Sequence, residues 1–68
     1  MTARTEETRF KDAIEFEKLA SGHDDRAGWN ESQSKHSALS EVERSLHADL
    51  ASLHGQMAAK YRALARAQ

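Results

Sequence analysis

The sequence predicts an all-α fold, an antiparallel helical hairpin, and three observations carry that expectation. Proline is absent from all 68 residues and β-branched residues are few, so little opposes helix formation. Leu39, Val42, Leu46, Leu50, Leu53, Met57, Tyr61 and Leu64 recur at spacings of three and four, the signature of one helix face. Between that run and an N-terminal apolar segment lies a polar stretch that opens on Ser21-Gly22.

The first segment, about residues 2–20, reads as helix. Glu6 and Glu7 fall in an early turn, where carboxylates suit the positive end of the helix dipole. Gly22 reads as a stop, because glycine is the usual residue just past a helix end. Phe10, Ala13 and Ile14 share one face, while Phe16 and Leu19 sit well round from it. Two apolar faces predict two contacts, one inside the hairpin and one across a subunit boundary.

Residues 21–36 read as the connection, with Trp29 its single large apolar side chain among Asp24, Asp25, Gly28, Asn30 and Ser32. In a loop, such a tryptophan either closes over the end of the hairpin or stands exposed as an anchor for a partner, a role for which tryptophan is favoured. Three pairs could cap the next helix: Asn30 with Gln33, Ser37 with Ser40, and Ser40 with Glu43. The reading preferred here starts the helix near Ser34 or Ser37 and runs it to residue 67.

That second helix carries the strongest pattern in the chain. Its apolar series repeats every eleven residues, Leu39 matching Leu50 and Tyr61, and Val42 matching Leu53 and Leu64. Eleven residues in three turns suit a nearly straight helix. The eight side chains fall within an arc of roughly 100°. A helix over residues 37–67 is about 46 Å long, against about 28 Å for the first, at ~1.5 Å per residue. The shorter helix cannot cover the whole stripe. The expectation is therefore a single domain over residues 1–68 that dimerises into a four-helix bundle. The interface would be Phe10, Ile14, Phe16 and Leu19 with the eight residues of the stripe.

Composition narrows the function. A chain this short buries a smaller fraction of its surface than a larger domain does, and with no cysteine it has neither disulfides nor thiolate metal sites, which leaves oligomerisation as the aid to stability. The absence of cysteine and of any apolar run near ~20 residues predicts a cytoplasmic chain with no membrane span, and the charged N-terminus has no apolar segment behind it that would make a signal peptide. The Ala and Arg content points to a high-GC bacterium or its phage.

Net charge is −1, so no general attraction to nucleic acid follows, and Lys60, Arg62 and Arg66 suit the C-terminal end of a helix dipole without any ligand. No glycine-rich phosphate loop and no enclosed site for a nucleophile and base are evident, so neither an enzyme nor a cofactor is expected. Glu43, His47 and His54 share a flank of the stripe and are the candidate metal ligands, but Glu43 and His47 stand four apart, not in the Glu-x-x-His pattern of di-iron bundles.

In size and outline the chain resembles small helical-hairpin adaptors: secretion co-chaperones, antitoxin-like regulators and phage-encoded inhibitors of host proteins. The likeness is one of architecture and transfers no residue. The functional expectation is a non-enzymatic homodimeric module that binds and regulates, inhibits or stabilises a larger protein. The alternatives are a metal- or nucleic-acid-binding bundle and a secretion-type co-chaperone.

Overall fold

Thr5 opens the first helix with its own side chain. Its hydroxyl accepts the Thr8 N–H at 3.2 Å, and Glu6 and Glu7 follow in the first turn. A computed structural model describes residues 5–68, so the expected start of this helix near residue 2 lies outside the described residues. From this cap α1 runs unbroken over Glu6–Ser34, and α2 runs over Glu41–Arg66. The two pack against each other as a hairpin.

The helix does not stop at Ser21-Gly22, and residues 21–34 are helix where the sequence suggested a connection. No glycine adopts a positive φ, so Gly22 serves no C-cap role. Tertiary packing overrides the local signal, because Ala20 and Asn30, on either side of the glycine pair, are both buried against α2. Glycine costs ~1 kcal/mol relative to alanine in a helix, which that packing offsets. An ideal Cβ at Gly28 or at Gly55 meets nothing within 4 Å. Gly28→Ala and Gly55→Ala should therefore each stabilise the protein by about 0.5–1 kcal/mol, seen as a rise of a few degrees in melting temperature by circular dichroism.

The connection is residues 35–40, far shorter than expected. Of the three candidate caps the chain uses Ser40 and Glu43: the Ser40 hydroxyl accepts the Glu43 N–H at 3.1 Å, and a Glu43 carboxylate oxygen accepts the Ser40 N–H at 3.2 Å. Helix α2 therefore starts at Glu41, and Leu39 lies outside it, half-buried in the connection. With 29 and 26 residues, the helices are about 44 and 39 Å long. The length mismatch expected from the sequence disappears. The molecule is a rod of 53 × 17 × 14 Å with a radius of gyration of 16.1 Å, against ~11 Å for a compact chain of this size. Among the described residues no helix is long and apolar enough to cross a membrane.

Candidate interaction surface

Small and polar side chains hold the two helices together. On α1 the inward positions are Ala13, Phe16, Ala20, His23, Ala27, Asn30 and Ser34; on α2 they are Arg44, His47, Ala51, His54, Ala58, Tyr61 and Ala65. Both series step by three and four in strict alternation, a seven-residue repeat with alanine at every seventh position over about half of each helix. Ala20 and Ala58 are essentially inaccessible, and small residues at such points let two helix backbones approach closely. Reading only the large apolar residues misses this seam. The signal that reveals it is the recurrence of alanine at 13, 20 and 27 and at 51, 58 and 65.

Between the alanines the seam is aromatic and polar. Phe16 stacks on Tyr61, with ring centroids 6.2 Å apart, and Tyr61 also lies flat on His23 at 5.5 Å. The Nδ1 atoms of His23 and His54 are 2.8 Å apart, so one ring donates and the other accepts. Their ring centroids are 5.0 Å apart, so the imidazoles meet end to end. Nearer the turn, His47 Nδ1 donates to the Asn30 side-chain oxygen at 2.8 Å, and the Asn30 amide donates to the Arg26 carbonyl at 2.9 Å. Asn30 is the one polar residue among the described residues that is buried, and both of its side-chain ends are satisfied.

These contacts occupy the candidate metal ligands with other partners. The Glu43 carboxylate is engaged at the helix cap, where hydrogen bonds from Ser40, and to a lesser degree the nearby His47, hold it below its ordinary pKa. His54 faces His23, and His47 faces Asn30. The described residues contain no group of three or more His, Cys, Asp or Glu placed to hold a metal ion. The basic C-terminal end is partly committed too. Arg62 donates to Asp24, a hydrogen bond and ion pair that lowers the Asp24 pKa and raises that of Arg62.

Because alanine and histidine fill the seam, the large aliphatic residues of α2 turn away from α1. Val42, Leu46, Leu50, Leu53, Met57 and Leu64 are all exposed, Val42 at 70% and Leu53 at 53%. Tyr61 departs from the expected stripe, since it lies half-buried in the seam, as does Phe16. At ~100° per residue, the Asp24–Arg62 pair marks one flank of the seam and the aliphatic stripe lies on the other. Leu19 and Trp29 project on the stripe's side of α1. Phe10 and Ile14 project on the opposite side, where Ile14 lines a shallow groove with Ala13, Glu17, Ala65 and Arg66.

Trp29 is not a loop residue. It stands on the penultimate turns of α1, 59% exposed, with its ring edge-on to His47 at 5.4 Å. It does not close over the end of the hairpin. Pockets on the stripe side are open and apolar: Leu50, Leu53, His54, Met57 and Lys60 line one, and Met57, Lys60, Tyr61 and Leu64 the next. No protein-family model, no curated protein and no solved structure matches the chain.

Proposed function

We propose that this chain is a non-enzymatic protein–protein interaction module, a homodimer that assembles as a four-helix bundle and binds a larger protein to regulate, inhibit or stabilise it. One observation carries the reading. The hairpin spends alanines, three of its histidines and an asparagine on its own seam and leaves Val42, Leu46, Leu50, Leu53, Met57 and Leu64 exposed along one side of α2, a row interrupted where Tyr61 turns into the seam. Contiguous apolar surface of this kind marks a contact with another chain. The seam histidines and Asn30 are engaged with one another, which supports a packing role for them.

Trp29 supports the second half of the proposal, the larger target. Its exposed ring sits at the turn end of α1, on a helix that fixes its position, which suits an anchor residue. Trp29→Ala should leave helicity and sedimentation mass unchanged while weakening capture of the target by about 2 kcal/mol, roughly thirtyfold. The target is first identified by affinity capture from the native host with mass spectrometry. Unchanged capture by the variant, or a fall in its dimer mass, would remove Trp29 from this role.

A further inference from the structure

The apolar row on α2 admits a specific occupant. We propose that it packs against the same row of a second copy with the two α2 helices antiparallel and crossing between Leu53 and Gly55. This deepens the reading given under Proposed function and rests on it.

Charge order along the helix supports the orientation. The acids of α2 are Glu41, Glu43 and Asp49, and its bases after the midpoint are Lys60, Arg62 and Arg66, with no acid beyond Asp49. A parallel pair would set acid beside acid and base beside base. An antiparallel pair sets each acidic half over a basic half, and two-fold symmetry makes every such contact twice.

Two charges next to the stripe sharpen the argument. Asp49 and Lys60 lie within about 20° of each other on the outer flank of the apolar row. Among the described residues neither has an ion-pair partner, although Lys11, Lys18, Lys35 and Arg62 all do. On one helix the two are about 16 Å apart and cannot meet. Across an antiparallel pair they face each other. The midpoint of the row from Val42 to Leu64 is Leu53, and that of Asp49 and Lys60 falls between His54 and Gly55, so charges and aliphatics place the two-fold axis within about 2 Å of each other.

Area is sufficient. The six exposed row residues and Leu19 leave uncovered about three and a half residues' worth of large apolar surface. Wholly covered on both copies, that surface is of the order of the ~1,000 Å² a specific interface should clear. Val42, Leu53 and Leu64 stand eleven residues apart, three turns each time, so they keep to one side of α2 along the length of the row.

Because the chain has no cysteine, single cysteines test this geometry in the full-length protein. Leu53→Cys, near the axis, should form a disulfide with its own mate under mild oxidation. Val42→Cys alone should not, nor should Leu64→Cys alone, yet the two mixed should crosslink to each other. Self-crosslinking at all three positions would overturn the antiparallel arrangement in favour of a parallel one. Failure of every crosslink, with the wild-type chain sedimenting as a monomer at micromolar concentration, would overturn the second copy. In that event target capture by Leu53→Asp separates the two readings. If the substitution abolishes capture, the row is still an interaction surface, with a different occupant. If capture and stability are both unchanged, the interaction reading fails as well.

Discussion

Leu53→Asp is expected to convert a folded dimer into a largely unfolded monomer. In a hairpin that lived alone, Leu53 would be a half-exposed surface position, where substitutions usually change stability by less than about 0.5 kcal/mol. At the centre of a two-fold contact the same change buries two carboxylates with no partner, at a cost of several kcal/mol. The hairpin has little to fall back on, since Ala20, Ala58 and Asn30 are its only buried residues among those described. On the dimer proposal association and folding should be coupled, and the melting temperature of the wild type should climb with protein concentration. Sedimentation equilibrium and far-ultraviolet circular dichroism measure both effects. A helical Leu53→Asp monomer melting where the wild type melts would show that the apolar row contributes nothing to the assembly.

Ala20→Leu should be nearly as damaging, for the opposite reason. Ala20 has no accessible surface and faces a stretch of α2 where Ala58 is equally enclosed. A leucine there must push the helix axes apart, and with them the His23–His54 and Phe16–Tyr61 contacts on either side. Overpacking of this kind costs ~1–3 kcal/mol, which at ~4–8 °C per kcal/mol is a drop of roughly 4–24 °C in a domain of this size. Ala58→Leu should behave alike. The informative contrary result is a rise in melting temperature. It would mean that the space between the helices is wide and accepts large aliphatics, and that α2 turns its leucine row inward instead.

The parts of this structure that could be read from the sequence are those written in large side chains. The spacing of Val42, Leu46, Leu50, Leu53, Met57 and Leu64 announces a long helix with one apolar face, and α2 is that helix. The cap was visible too, as one of three candidates, but local chemistry alone cannot rank Ser40 against Ser37, because both present a hydroxyl three residues before a polar partner. What the pattern hid is which face meets which. Hydrophobicity assigns the inside of a hairpin to leucine, whereas here close approach assigns it to alanine, and an alanine repeat has almost no weight on an apolar scale. The same blindness placed a stop at Gly22. A glycine inside a helix looks like an end until the alanines on either side, Ala20 and Ala27, are seen to pack two turns apart against α2. Trp29 falls in the same stretch, where its polar neighbours suggest a loop although it rides on a helix.

The single six-residue turn has a kinetic consequence. Every contact between the helices is a loop closed on that turn, and the loops lengthen steadily away from it: Asn30 and His47 are 17 residues apart, His23 and His54 are 31 apart. Each doubling of such a loop adds about 0.6 kcal/mol of closure entropy. The asparagine–histidine contact is thus the less costly of the two to form, and the rod should close like a zipper from the Ser40 cap towards its open end. The stacked pair of Phe16 and Tyr61 lies further along and should lock later than either.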